Sequence, residues 1–471
     1  MTPEKSEAQA GKSSSSTAGG AKPKTRRRAD PKPGTGPEDT EGGVFERRVA
    51  RLEFAEGAFV RLRVPVSADG AEQGRDVLTD IDILSIDVDS RLRSTRSSLE
   101  CKSGRGQSGE PYTLVWLAGF RQLLALDRVT LVRQTVSSRG RAVARKLGIA
   151  VLDEASLSTR ERAHAWLPER FAHLDGAACL AAEARTDTQL KGLPDLPVAV
   201  TKFLRGGGLM ADSPALLSAV EAFGKAAERQ GGIPEPAATV LSSHALIAVI
   251  LAAVQDAGRL DEIPSATLLE RLGRALTVGN ADDLYLLPLL ERADALVGHI
   301  QERTHRRYIE AGAEPLRAPY PSLRQIISEP PAYLNDYVDF VERLRANPVV
   351  ARELLQTAEL VCFDAALGGD AWKAPAFAHL FSTEHHGLMS VALRCLGTIA
   401  GRHVSGHLDH IGSYRSLRTN EPVIDRRIAP PSSASRPKAA ATNDVTANPS
   451  KGLHPEQTSL LDLEDTEPDL P

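Results

Sequence analysis

The sequence predicts an α/β domain, a mixed sheet flanked by helices, followed by an all-α domain and enclosed by two disordered tails. Three observations predict it. Short apolar runs of period two lie between residues 58 and 153 and alternate with segments of helical period. From about residue 160 to 415 the strand signals vanish, and helix-period segments follow one another between Pro- and Gly-containing breaks. At both ends the apolar residues give way to Ser, Pro, Gly and charge. The boundaries read as 1–43 for a basic tail, 44–158 for the α/β domain, 160–415 for the helical domain and 420–471 for an acidic tail.

The elements follow in order. VFERRVARLEF places Phe45, Val49 and Leu52 at i, i+4 and i+7, one face of a helix. AFVRLRVPV (58–66) sets Val60, Leu62, Val64 and Val66 against Arg61 and Arg63, as a half-buried strand does. DVLTDIDILSI (76–86) is a second strand and SSLECKS (97–103) a third. PYTLVWLAGFRQLLAL (111–126) reads as a helix with a mostly apolar surface, and RVTLVRQTV (128–136) as a strand. SSRGRAVARKLG (137–148) is a helix with Ser at its start and Gly148 at its end, and IAVLD (149–153) is a last strand. In the helical region SPALLSAVEAFGKAAE opens with Pro214 and carries Leu216, Val220 and Phe223 on one face. Further helices are predicted near 236–256, 265–277, 281–311, 334–346, 348–366 and 384–400. No repeat of fixed period runs through them, which excludes a solenoid.

Bulk composition narrows the class. The chain has 471 residues, 42% hydrophobic and 25% charged, which suits a soluble protein of two or three domains. A net charge of -4 gives no overall signal of a nucleic-acid binder. Cys101, Cys179, Cys362 and Cys395 form no C-x-x-C pair; neither a disulfide framework nor a structural zinc site is spelled out, and a reducing cytoplasm fits. The polar N-terminus carries no signal-peptide pattern. The longest apolar run, ALIAVILAAV (245–254), is half the roughly 20 residues a bilayer span needs and is read as a buried helix, so no membrane is expected.

Two strand-like runs carry charge where strands are usually apolar. TDIDIL holds Asp80 and Asp82, and LECKS holds Glu100 and Lys102. Residues i and i+2 of a strand share a face, so each pair points one way, and neighbouring strands would bring all four together. Crowded carboxylates repel unless a cation lies between them, and oxygen ligands suit Mg²⁺. A lysine beside them can orient a water and balance charge on a phosphoryl group. A solvated strand face produces the same residue types, so the pattern alone leaves both readings open.

These residues resemble the PD-(D/E)xK nuclease superfamily and, more narrowly, its Mrr-type, restriction endonuclease-like branch. The likeness rests on a helix bearing Glu46, the strand TDIDIL, the strand LECKS, and a closing helix, strand, helix and strand that end in ARKLGIAVLDEASL. It covers about residues 44–158. The resemblance implies Asp82 and Glu100 as ligands for Mg²⁺ or Mn²⁺, Lys102 as the catalytic lysine, and Glu46 and Asp80 as auxiliary acids. The activity implied is hydrolysis of DNA phosphodiester bonds, in restriction, phage defence or repair. The chain departs from the pattern in having Asp80 where the family has Glu and in a long link from Asp82 to Glu100. The alternative function is a non-catalytic DNA-binding scaffold that recruits partners through the helical domain and the C-terminal tail.

Charge supplies candidate DNA contacts. Arg91, Arg93, Arg96 and Arg105 flank the motif in sequence, and Arg139 and Arg141 lie on the later helix. Residues 44–158 hold 18 Lys and Arg against 15 Asp and Glu, an excess too small to separate phosphate contacts from an Arg-rich composition. Such contacts would make the protein cytoplasmic and nucleoid-associated when bound. GRHVSGHLDHIG sets His403, His407 and His410 at i, i+4 and i+7; Gly401 and Gly406 interrupt it, and hydrogen-bonded histidines are the better reading than zinc ligands. In the acidic tail Gln457, Leu460 and Leu461 resemble the short peptides by which bacterial repair and replication proteins bind the sliding clamp, while a solvated acidic tail is the simpler reading. If the peptide is real, Gln457→Ala or Leu460→Ala abolishes capture of the chain on immobilised clamp; capture that survives both changes removes the clamp from the list of partners.

Overall fold

Alternating runs cannot leave their amides bare, and five of them close into one sheet. In the computed structural model, which describes residues 40–67, 77–103, 109–164, 166–278, 286–315 and 330–417, helix α1 (Glu41–Ala55) precedes strands β1 (Phe59–Ser67), β2 (Val77–Val88) and β3 (Ser94–Lys102). Helix α2 (Glu110–Leu123), β4 (Arg128–Arg133), α3 (Ser138–Leu147), β5 (Ala150–Asp153) and α4 (Glu154–Glu161) follow. The strands lie in sequence order; β1, β2 and β3 pair antiparallel, and β3, β4 and β5 pair parallel. The mixed sheet flanked by helices is therefore observed, with the predicted element order and one further helix. Both tails beyond residues 40 and 417, Arg105, and the peptide of Gln457, Leu460 and Leu461 lie outside the described residues.

Local signals set the helix ends. The Thr40 hydroxyl accepts from Gly43 N–H at 3.1 Å and starts α1. Ser137 does the same for Gly140 at 2.8 Å, and Gly148, at φ 63°, ends α3.

Strand β2 is covered on both faces: Ile83, Leu84, Ser85 and Ile86 are all buried. Helix α1 lies on one side, where Ser85 Oγ donates to Glu53 at 3.2 Å. The helical region covers the other. This corrects the half-buried reading of β1. Arg61 was assigned to a wet face, yet it is 3% exposed and ion-paired with Glu359. Its guanidinium is stacked over the rings of Phe59 and Phe363 at 4.7 and 4.8 Å.

The helical region contains α5 (Ala177–Leu190), α6 (Val198–Arg205), α7 (Ser213–Gln230), α8 (Ala237–Gly258), α9 (Ser265–Val278) and α10 (Leu286–Glu310). It continues with α11 (Leu334–Ala346), α12 (Pro348–Ala351), α13 (Leu354–Leu360), α14 (Thr383–Ala400) and α15 (Arg402–Ser405). Past residue 160 the described residues hold no strand, only the isolated bridge between Phe171 and Leu174. The single helix expected over 348–366 is instead α12, α13 and a π turn at Val361–Ala365. Helix α8 has the length and composition of a membrane span, but all of its apolar window is buried within the protein.

One hydrophobic core runs from α1 through the sheet into α8 and α14. Where α13 meets α1, Gln356 Nε2 donates to the buried carbonyls of Phe54 and Ala58 at 2.7 and 3.0 Å. Replacing Gln356 by Leu leaves both carbonyls without that donor. The expected loss is about 1–3 kcal/mol of stability, read by urea unfolding as one cooperative transition moved to lower denaturant. An unchanged midpoint, or two separate transitions, contradicts a shared core.

Candidate active site

The site begins where a strand pair stops pairing. β2 and β3 keep register from Val88–Ser94 to Ile83–Leu99. Beyond that pair the next rung is replaced: Asp82 Oδ2 accepts the Cys101 N–H at 2.9 Å. The carboxylate thus satisfies a backbone donor and is fixed in the fork between two separating strands. β3 itself continues, paired through Glu100–Leu131, Cys101–Val132 and Lys102–Arg133 with β4.

The alternation of β3 puts Leu99 and Cys101 on the side of the core and Glu100 and Lys102 on the side of Asp82. The Asp82 carboxylate faces the Glu100 carboxyl closely enough for its charge to act on it. Lys102 Nζ donates to Glu100 Oε1. Burial raises the Asp82 carboxyl above the usual range, opposed by the Cys101 amide and Lys102 and assisted by Asp80. Burial, and then the charge of Asp82, likewise raise Glu100. For Lys102 burial works to lower the amine, but the bond to Glu100 and the charges of Glu100 and Asp82 outweigh it, and the net shift is upward.

Helix α1 brings Glu46 to the same place. Its carboxyl is raised by burial and next by the charge of Asp82. All three acids act on the buried Cys101 thiol, which is pushed well above its ordinary value by burial and then by Asp82, Glu46 and Glu100. Asp80, one pleat from Asp82, is exposed and pairs in register with Pro65. Glu46, Asp80, Asp82, Glu100 and Lys102 therefore converge on one end of the sheet.

Arg63 belongs with them and was not singled out from sequence. It lies between the Leu62–Ile83 and Val64–Ile81 pairs, across from Asp82, at φ 51°. A left-handed arginine in a strand is strained, and here it reaches Glu46 at 3.4 Å and also Asp175. The available signal was the alternation that places Arg63 on the face of Asp82. Glu110 was also missed. It is 1% exposed at the start of α2 and accepts from the Ser137 amide at 3.3 Å and from the Ser137 hydroxyl at the start of α3. A Cβ on Gly140 would meet the Glu110 carboxyl at 2.3 Å, so glycine is required there.

The expected DNA contacts separate into two groups. Arg91 and Arg93 lie at or beside the β2–β3 turn, the far end of the hairpin from Asp82. Six residues of strand put that turn roughly 20 Å away. The turn is held against the helical region: Leu92 is buried, and a Cβ on Gly258 would strike the Leu92 carbonyl at 2.3 Å. Arg93 is bound to Asp89, Arg91 lies 3.8 Å from Asp261, and Arg96 donates to the Met210 and Ala211 carbonyls at 2.9 and 2.5 Å. Arg91 and Arg93 are exposed at a turn away from Asp82, and Arg96 is bound to the helical region. Sequence proximity misled because the chain doubles back.

Arg139 and Arg141 are at the right edge. β4 is parallel to β3, so the segment after Arg133 and the start of α3 lie beside Lys102. Arg139 is exposed, and Arg141 pairs with Asp153. Tyr112, near the start of α2, is exposed on the same edge.

The three histidines near the C-terminal end of the helical region are dispersed. His403 Nε2 is 2.9 Å from the Gly224 carbonyl and His407 Nδ1 is 3.0 Å from Glu235, which fits the hydrogen-bonded reading. No protein-family model, no curated protein and no solved structure matches the chain.

Proposed function

We propose that the chain is a metal-dependent DNA endonuclease of the restriction endonuclease-like type. The observation that carries the reading is the meeting of Asp82, Glu100 and Lys102 at the fork of β2 and β3, with Glu46 supplied by α1. Carboxyls whose ionised forms are mutually penalised fit a divalent cation, and both sets of oxygens suit Mg²⁺ or Mn²⁺. Asp82 and Glu100 would hold the ion, which supplies a Lewis acid to the phosphoryl oxygens and a more acidic water.

The chain's own groups do the rest. Lys102, kept protonated by Glu100 and Asp82, faces charge that develops on the phosphoryl oxygens. Asp82 is held by the Cys101 amide, so its orientation does not depend on a side-chain rotamer alone. Arg139 and Arg141 at the rim would take backbone phosphates and position the duplex without reading its sequence.

Plasmid, linear and single-stranded DNA incubated with Mg²⁺ or Mn²⁺ tests the activity. Lys102→Ala is expected to lower cleavage about 10²–10³-fold with the fold intact. Equal cleavage by both proteins removes Lys102 from the chemistry. DNA binding with no turnover under either metal replaces the enzyme with the scaffold reading.

The raised carboxyls give a second test. A folded-state pKa above the unfolded one means that the folded protein prefers the protonated acid. The penalty is therefore present at neutral pH and disappears as pH falls through the raised value. Asp82→Asn keeps an acceptor for Cys101 and removes the charge. It is expected to raise the melting temperature at pH 7, to lose that advantage in acid, and to stop Mg²⁺ from stabilising the protein. A variant that melts below wild type at pH 7 contradicts the crowded-acid account.

A further inference from the structure

A second polar cluster lies in the helical region, and its residue types differ from those at Asp82. His173 comes from the loop before α5, Glu183 from α5 and His244 from α8. One donor atom from each lies within 4.8 Å of the others. Glu183 Oε1 is 3.3 Å from His173 Nε2 and 2.8 Å from His244 Nε2. Its second oxygen is held by Arg205 Nη2 at 2.5 Å and Nε at 2.9 Å, which leaves Oε1 turned to the histidines.

The surroundings follow the pattern of a supported metal ligand. His173 Nδ1 lies 2.8 Å from Glu359 Oε1 and also against Arg61 Nη1. A carboxylate behind an imidazole orients the ring toward an ion. Glu359 is fully buried and is itself ion-paired with Arg61. His244 is almost wholly buried, while His173 and Glu183 retain some exposure.

We propose that His173 Nε2, Glu183 Oε1 and His244 Nε2 bind one zinc-class transition-metal ion that pins the loop before α5 to α5 and α8. Imidazole nitrogens select such an ion over Mg²⁺. Three protein ligands leave the fourth position of a tetrahedral ion to water. The site stands apart from the Asp82 cluster in ligand chemistry and does not rest on the nuclease reading.

The test uses the full chain, stripped with chelator and titrated with Co²⁺. One equivalent is expected to give the visible bands of tetrahedral cobalt. Zn²⁺ is expected to displace it and to raise the melting temperature. Glu183→Gln and His244→Ala are each expected to weaken binding at least about tenfold. Wild-type protein that gives no saturable cobalt spectrum and no Zn²⁺-dependent melting shift overturns the site, and this readout needs no variant to fold.

Discussion

The Cys101 amide has two possible partners, a carbonyl on β2 or the Asp82 carboxylate, and it takes the carboxylate. That choice ends the β2–β3 ladder at Ile83–Leu99 while β3 stays paired to β4 on its other edge. A fork follows, in which one strand remains rigid and the other diverges. A fork of this kind lets two acids and an amine share a face without exposing a sheet edge to a neighbouring chain. The charged hydrogen bond offsets the rung that is lost and aims the acid. Everything proposed for catalysis depends on this substitution of a side chain for a backbone carbonyl.

β1 carries the consequence outward. Arg61 and Arg63 share its face, two residues apart, and each serves a different acid system. Arg63 meets Glu46 and Asp175 beside the fork, and Arg61 meets Glu359 within the helical region. A buried guanidinium is costly without compensation, and truncating either partner of the Arg61–Glu359 pair would leave a charge in the core. The helical region is thus tied to the strand that borders the candidate site. The same logic applies at the hairpin tip, where Gly258 admits the Leu92 carbonyl and Arg96 binds the Met210 and Ala211 carbonyls.

Sequence patterning revealed what depends on local period. The order of the sheet elements, the shared face of Glu100 and Lys102, and the caps at Ser137 and Gly148 all follow from spacings of a few residues. What it missed depends on the chain's return. Arg91, Arg93 and Arg96 neighbour Glu100 in sequence but sit toward the far end of a hairpin from it. Arg61 has the composition of a wet strand face, and only the arrival of α13 from some 300 residues away buries it. Glu110 carries no local signal; its meaning lies in Ser137 and Gly140 at the start of another helix. The helix over 348–366 was drawn too long because its apolar residues keep helical spacing through the π turn, which changes the hydrogen bonds but not the composition.

The charged cluster at the fork also explains why its strands look ill-suited to a sheet. Raised carboxyls at Asp82, Glu100 and Glu46 mean that folding concentrates like charge in one place. Selection for stability alone would replace at least one acid with an amide, since a core tolerates an isosteric neutral group better than an uncompensated ion. Retaining three acids is reasonable when something else arrives to neutralise them. Lys102 and Arg63 each carry one positive charge, against the four acids Glu46, Asp80, Asp82 and Glu100. A divalent cation would close that imbalance. In the His173 cluster two imidazoles join one carboxylate. The two clusters, read by donor type, therefore call for different ions, a hard oxygen-bound one at the fork and a softer one between α5 and α8.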